Sequence, residues 1–317
     1  MNTDTTSAQS QIKPVTVIER LLSMLAFPLT MSMALFSAWY GFAVLEWGPT
    51  ATGFAVVFVF GFVLIPILER VLPFRPKWNK NDQDVNADVL NLVFNTVLTT
   101  LEKPLLVALL IGVTAALSEQ FGGSLWPSDW PLLAQLFLML LIAEFGRYWI
   151  HFAAHKIPLL WRLHAIHHSP NRLYFLNAAR FHPIEKFLFQ LPEVVPFILL
   201  GTNIETITLY LVFNTIHGLF QHSNIRVKLG PLNYLFSMTE LHRWHHSKNI
   251  HESDRNFGNN LIIWDIVFGT FYYPKGKTVD DIGLINPDYP KTYLGQLVAP
   301  FADRDISKPV GYKREPK

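Results

Sequence analysis

Residues 132–155 read LLAQLFLMLLIAEFGRYWIHFAAH, an apolar run that ends in two histidines four residues apart. The part from 132 to 150 is long enough to cross the roughly 30 Å hydrocarbon core of a bilayer as a helix. Only Glu144 and Arg147 interrupt it with charge, near its far end. His151 and His155 follow where the span ends, and on a helix they project from one face. The stretch therefore predicts a membrane helix that carries two imidazoles to the membrane surface.

Three more apolar segments precede this one and predict an all-α integral membrane protein with about four transmembrane helices. Segment 21–45 has no charged residue, 51–68 is at the lower end of spanning length, and 89–117 has an amphipathic first half. Of the 317 residues, 50% are hydrophobic and only 16% are charged, whereas a soluble domain has about 25% charged residues. This composition argues against a soluble globular enzyme and against a disordered or coiled-coil chain.

The positions of Lys and Arg predict the orientation of these segments. The loops at 46–50 and 118–131 contain neither, whereas the N-terminal tail and the 69–88 loop carry several. By the positive-inside rule, the 69–88 loop and both termini face the cytoplasm. The tails 1–20 and 274–317 are then cytoplasmic, as is the end of the fourth span that leads into the histidines.

Two shorter apolar runs lie between 187 and 220, split at 201–205. Their length is more typical of re-entrant or interfacial helices than of full spans. Because histidines lie on both sides of this region, it must cross zero or two times if those histidines are to meet.

Eight of the twelve histidines form three tight groups, and the chain has no cysteine. The missing cysteines exclude disulfides, thiolate zinc sites and Cys-ligated iron–sulfur clusters. The histidine spacings of three and four residues place the imidazoles of each group on one helical face. The groups are His151 and His155; His164, His167 and His168; and His242, His245 and His246.

The three groups predict a metal centre. Eight imidazoles exceed what one tetrahedral zinc can use, so two metals are the economical number. Imidazole suits Fe, Zn, Cu and Ni alike, which leaves the identity of the metal open. The chain has no His-Glu-x-x-His motif, which disfavours a zinc protease. Its net charge of +2, with no long basic run, gives no sign of a nucleic acid partner.

The three histidine groups are part of a longer sequence pattern. Residues 144–155 lead into Leu-Trp-Arg-Leu-His-Ala-Ile-His-His-Ser-Pro at 160–170, followed by Phe-Gln-His-Ser-Asn at 220–224 and Glu-Leu-His-Arg-Trp-His-His-Ser at 240–247. Asp-Arg-Asn-Phe-Gly at 254–258 and Trp-Asp-Ile-Val-Phe-Gly-Thr-Phe at 264–271 come after them. This pattern resembles the fatty acid hydroxylase/sterol desaturase superfamily of integral-membrane di-iron oxygenases. The resemblance covers about 132–273, while residues 1–130 resemble the family only as generic spans.

The apolar segments place three spans in 21–131, and the resemblance implies a catalytic domain over 132–273, in which a cytosolic helical cap holds two Fe²⁺ ions. It implies O2 as co-substrate and a lipid from the bilayer as substrate. Electrons would come from an external donor, a separate reductase or a small electron carrier, because the chain has no dinucleotide-binding glycine motif. The implied metal ligands are the eight grouped histidines, His222, which matches an additional family ligand, and His217.

Several other residues are candidates for roles around the metals. Glu144, Arg147 or Asp265 would orient a ligating imidazole; alternatively Glu144 and Arg147 pair with each other, and Asp265 belongs to a turn that closes the cap. His182 is expected to orient a ligand or to be structural, and His251 to be exposed or structural. Asn177, Asn214 and Asn256 are candidate hydrogen-bonding supports.

The implied activity is hydroxylation or desaturation of an unactivated C–H bond in a lipid. Fatty acyl chains, sterols, carotenoids, ether lipids and lipid head groups all stay open as substrates. The stretch at 256–271 is also similar to that of alkylglycerol monooxygenases of the same superfamily, which favours a pteridine-dependent ether-lipid monooxygenase as an alternative. A third hypothesis is non-enzymatic, namely that the chain is a His-rich membrane protein that binds zinc.

Overall fold

The structure is a computed structural model that describes residues 16–302, and within this range the regular secondary structure is helical, with isolated β-bridges and no strand. Four helices of the described chain are long and apolar enough to cross a membrane. They are α1 (Val17–Ala43), α2 (Pro49–Val71), α3 (Val85–Phe121) and α4 (Leu132–Lys156). The predicted all-helical fold with four candidate membrane helices is confirmed.

Shorter helices follow in the described chain. They are α5 (Pro158–His168), α6 (Pro183–Leu200), α7 (Ile204–His222), α8 (Thr239–His245), α9 (Ile250–Ser253), α10 (Ile263–Phe268) and α11 (Tyr293–Val298). We call the end of the bundle at which α4 finishes the histidine end. Helices α5 and α8–α11 gather there with their connecting loops, and we call this assembly the cap.

Helix α3 is unusually long. Its 37 residues extend over about 55 Å at about 1.5 Å per residue, and the helix continues through Pro104. Its first half buries Asp88, Asn91 and Asn95 against the rest of the protein, while most of its second half is exposed. The polar face of the amphipathic first half therefore packs on protein, while its apolar face is exposed.

Helices α6 and α7 form a hairpin that runs the length of the bundle. Its turn lies at the end opposite the histidines, where the Trp126 amide donates to the Leu200 carbonyl and Asn203 donates to Gln135 Oε1. Helix α6 packs on α3 and α4, and α7 packs on α1, α2 and α4. With 18 and 19 residues, each helix is about 27–29 Å long, close to the thickness of a hydrocarbon core. The region thus begins and ends at the histidine end, as a pair of crossings would.

Close packing of α7 against α2 and α1 forms the main apolar core. Phe27, Ile65 and Ile216 are at most 2% exposed there. Glycines in α2 permit the approach: a Cβ added to Gly61 would lie 2.7 Å from Leu219 Cδ1, and one added to Gly53 would lie 2.9 Å from Thr208 Cγ2. Small residues at helix contacts are the usual solution for membrane bundles.

The segment that begins at 274 is rich in polar residues and proline. Its described part, up to residue 302, folds back on the cap and buries Val279, Ile282 and Tyr289. The Gly283 amide donates to the His246 carbonyl at 3.0 Å, which ties the segment to a candidate metal ligand. Isolated apolar residues in a Pro-rich polar stretch suffice for this packing. Residues 1–15 and 303–317 lie outside the described part of the chain.

Candidate metal centre

Nine histidines converge in two buried groups at the histidine end. In each group, one ring nitrogen per residue lies within 4.8 Å of the others, and none of the nine residues is more than 6% exposed. The first group is His151, His155, His164, His168 and His245; the second is His167, His222, His242 and His246. All eight grouped histidines of the sequence, and His222, are brought together.

The helical spacing explains how the residues divide between the groups. A helix turns about 100° per residue, so positions i and i+4 differ by about 40°, while i+3 lies about 60° to the other side of i. His164 and His168 accordingly share the first group, and His167 joins the second. In α8 and its C-cap the arrangement is reciprocal, because His242 and His246 share the second group and His245 joins the first. Each three-histidine motif therefore contributes to both groups.

Hydrogen bonds on Nδ1 turn the Nε2 atom of several rings inward. Main-chain carbonyls face Nδ1 of His151 (Phe257, 2.7 Å), His245 (Arg255, 2.8 Å), His222 (Gly218, 3.1 Å) and His167 (Arg180, 3.2 Å). Carboxylates face Nδ1 of His164 (Glu185) and His155 (Asp254). A carbonyl only accepts, so in those four rings Nδ1 is the donor. This outer support is what metal-ligating histidines commonly have.

The inward nitrogens are spaced as ligands of a shared cation would be. His167 and His222 both use their single N–H on a carbonyl, so their Nε2 lone pairs face each other at 3.2 Å. The Nε2 atoms of His151 and His164 are 3.1 Å apart in the same way. An imidazole nitrogen binds a divalent metal at about 2.0–2.1 Å, so two ligands at right angles lie about 3 Å apart. The donor set and its spacing fit a metal ion in each group.

Burial keeps the cap histidines neutral, which is the form that binds a metal. It lowers the pKa of His167, His168, His242 and His246 well below the ordinary value, with the neighbouring histidines adding to the effect. Burial lowers the pKa of His245 to about 3. A proton is therefore a poor substitute for the metal in this site.

The two carboxylates suggested by the sequence, Glu144 and Asp265, bind main-chain amides of the described chain rather than histidine rings. Glu144 accepts from the Asn259 and Asn260 amides, and Arg147 pairs with Glu193 of α6. Among the described residues, neither one hydrogen bonds to His151 or to the other. Asp265 accepts from the Phe257 and Gly258 amides, and so fixes the loop whose Phe257 carbonyl holds His151.

The other histidines lie apart from both groups. His217 is fully buried against the rings of Phe27, Phe213 and Phe236, so the structure does not bring it to the remaining candidates. His182 caps α6, its Nδ1 accepting from the Ile184 amide at 3.2 Å. His251 is exposed, as expected.

The three asparagines are hydrogen-bonded supports of the surrounding loops. Asn177 donates to Asp88. Asn256, with a φ of 55°, donates to the Leu241 and Tyr272 carbonyls. Asn214 accepts from Asn259 and Asn260 beside the Glu144 carboxylate. None of these bonds reaches a histidine ring.

Sequence reasoning missed Glu185 and Asp254 as partners of the candidate ligands, together with the carbonyls of residues 180, 218, 255 and 257. Glu185 is 2% exposed in the first turn of α6. A carboxylate at the start of an apolar helix is a signal that could have found it, because a charge is rarely buried without a partner. The carbonyls give no side-chain signal at all.

Glu185→Gln is expected to weaken metal binding about 10- to 100-fold, the usual cost of changing such an outer partner. The amide keeps an oxygen that accepts from His164 Nδ1, but it removes the negative charge that makes the ring a better ligand. Competition with a chelator measures the change. Glu119→Gln, at an exposed position of α3, is the matched control, and equal affinities of the two variants would contradict the assigned role.

A cavity of about 650 Å³ adjoins the histidines between α3, α6 and α7. Its wall near the histidine end combines polar side chains with apolar ones such as Phe181, Phe189 and Leu219, whereas its wall toward the opposite end is mostly apolar. The polar lining includes Arg147, Lys186, Gln190, Glu193, Asn214 and Asn259. The apolar lining includes Val107, Ile111, Met139, Phe197, Ile198 and Leu211. His151, His164, His167, His222 and His242 also line it.

Comparisons with known proteins agree with this geometry. A family model described as fatty acid hydroxylase matches residues 136–270. An ornithine lipid hydroxylase of Rhizobium tropici is 33% identical over 92% of this chain and 88% of its own length. Alkylglycerol monooxygenases of Xenopus tropicalis and Homo sapiens are 32% and 30% identical over 51% of this chain, which spans only 34% and 35% of their length. No solved structure matches the chain.

Proposed function

The chain belongs to the fatty acid hydroxylase superfamily, and from that premise we propose that it is a di-iron oxygenase that hydroxylates an unactivated C–H bond of a membrane lipid. The observation that carries the proposal is the pair of buried histidine groups, in each of which ring nitrogens converge within 4.8 Å of one another. Bound iron would supply the activation of O2 and the removal of hydrogen from carbon, with electrons from an external donor.

The residues of the chain hold the metals and exclude water from them. The nine histidines are the proposed ligands, and Glu185, Asp254 and the main-chain carbonyls fix their rings. Phe189 and Phe257 cover the first group, with ring centroids 5.6 Å and 5.5 Å from that of His151. An apolar cover of this kind keeps water out of the site.

The cavity supports a lipid bound with its polar part toward the metals. Arg147 lies one turn before His151 on α4, and its partner Glu193 and Lys186 both line the cavity from α6. Arg147 and Glu193 are buried as an ion pair and Lys186 is partly buried, so this wall offers charged groups to a polar head group. The acyl chains of the lipid then lie among the apolar residues farther from the histidines.

An amino-acid head group suits this polar end. Ornithine, named in the substrate of the Rhizobium tropici relative, carries amine and carboxyl groups. Arg147 and Lys186 provide positive charge for a carboxylate, and Glu193 provides negative charge for an ammonium group. We therefore propose a lipid with an amino-acid head group as the substrate class.

The side of the membrane follows from charge. Arg70, Arg75, Lys77 and Lys80 precede α3 at the histidine end, where the Arg75 amide donates to Asn224, two residues after His222. The positive-inside rule then puts the histidine end in the cytoplasm. A cytoplasmic electron donor would reach the metals from that side.

Lipid mass spectrometry tests the reaction. Membranes of a host that makes amino-acid lipids are compared with and without the protein, and a gain of one oxygen atom in those lipids is expected. Loss of two hydrogens would instead show a desaturase, and an unchanged lipid profile with a fully metallated protein would contradict the proposal. Metal analysis should find about two irons per chain, and zinc alone would contradict the iron assignment.

Lys186→Met is expected to raise KM for an amino-acid lipid about 10- to 100-fold with a smaller change in kcat. The reason is the loss of a charged hydrogen bond to the head group, worth about 1.5–3 kcal/mol. Lys277→Met, in an exposed loop, is the matched control. Unchanged kinetics with the amino-acid lipid would contradict the placement of its head group.

A further inference from the structure

An apolar ledge protrudes from the cap at α10. Ile266, Val267 and Phe268 are exposed there. The ledge is attached to the candidate spanning helix α4, with the Trp264 ring 4.9 Å from Phe145 and the Phe268 ring 4.8 Å from Trp149. Trp149 is two residues before His151, so the ledge lies at nearly the level of the first histidine group.

A second ledge is formed by α11 and the residues after it. Leu294, Val298 and Phe301 are 73%, 65% and 61% exposed, and their spacing of four and three residues puts them on one face. The opposite face is anchored to α3, where the Tyr293 ring stacks on Phe94 at 5.2 Å. This arrangement is amphipathic, with one face on the protein and one apolar face open.

Helix α3 shows what surrounds the second ledge. Its exposed residues next to Phe94 are apolar as well, at positions 90, 93, 97 and 101, and they continue without a break into the candidate span. Asn95, at the same height, donates to the carbonyls of Ala179 and Phe181, which flank Arg180, the residue whose carbonyl holds His167. The exposed apolar belt of α3 therefore reaches the level of the metal centre.

We propose that the cap is seated in the bilayer, with the two ledges embedded at the interface and the metal centre at head-group depth. The occupant of both ledges is the lipid bilayer. Soluble surfaces rarely expose contiguous apolar patches of this kind, whereas interfacial helices bury such a face at the boundary of head groups and acyl chains. Continuity with the belt on α3 favours lipid over a second copy of the chain. The inference concerns only the surface of the cap and does not depend on the reaction.

Because the chain has no cysteine, each single cysteine variant carries the label at one known position. Val267→Cys and Leu294→Cys are labelled singly with bimane in the iron-loaded protein, reconstituted in phosphatidylcholine vesicles. Leu109→Cys on the exposed second half of α3 is the bilayer reference, and Lys277→Cys in an exposed loop is the aqueous reference. We expect brominated lipid to quench the two ledge labels as it does the Leu109 label, and aqueous iodide to quench mainly the Lys277 label.

Quenching of the ledge labels by iodide but not by brominated lipid would overturn the proposal. Protection from both quenchers would overturn it too, since a second copy would then cover the ledges. Ile266→Cys and Val298→Cys on the same faces replace either variant if it loses iron. Iron content reports folding in each case, so a failure of the proposed lipid oxidation leaves this readout unaffected.

Discussion

His245→Ala is expected to reduce product formation to the background of membranes without the protein. His245 is fully buried, with its ring centroid 4.5 Å from that of His151 and 4.7 Å from those of His155 and His168. It is the one histidine of 242–246 in the first group, so its loss removes the contribution of α8 to that group. Product is measured by lipid mass spectrometry, and iron per chain by elemental analysis.

His217→Ala is the matched control, because His217 is equally buried but lies outside both groups. We expect it to keep both irons and most of the activity, while the cavity left among three phenylalanines lowers thermal stability. Full activity of the His245 variant would contradict the two-metal mechanism. Loss of iron in the His217 variant would show that the nine-histidine assignment is incomplete.

The division of the histidines follows from helical rotation and was available from the sequence. The same reasoning separates His217 from His222, which is five residues later on α7. Five residues rotate the helix by about 500°, or about 140° beyond a full turn, so the two rings point to different sides. The family resemblance implied ten candidate ligands, and the structure brings nine of them together.

Other parts of the site depend on contacts between distant segments, which local patterns do not reveal. The sequence suggested Glu144, three residues away, as an ion-pair partner of Arg147, but the partner in the structure is Glu193 of α6. The hydrogen bond that fixes the His151 ring is made to a main-chain carbonyl in a loop that begins at Asn256. Because carbonyls are chemically alike at every residue, the sequence does not show which of them makes this bond. The four spans were predictable because length and hydropathy are local properties.

Asp265 is expected to be the most sensitive residue outside the ligand set. Its Oδ1 accepts from the Phe257 amide at 2.8 Å and from Thr270 Oγ1 at 2.6 Å, and its Oδ2 accepts from the Gly258 amide at 2.7 Å. Leaving a buried amide without its acceptor costs about 1–3 kcal/mol. The loop also has little room to adjust, because a Cβ on Gly258 would lie 2.4 Å from the Leu261 carbonyl oxygen.

Asp265→Asn should therefore lower metal affinity about 10- to 100-fold, with a similar loss of activity. The Asn Nδ2 group opposes the Gly258 amide, donor against donor, so the 257–258 loop shifts and the Phe257 carbonyl releases His151 Nδ1. Chelator competition measures the affinity, and Asp129→Asn at an exposed position is the control. If the Asp265 variant lost thermal stability but bound metal as tightly as the parent, the carboxylate would only close the cap. Weakened metal binding in a variant that stays folded would show that it positions His151.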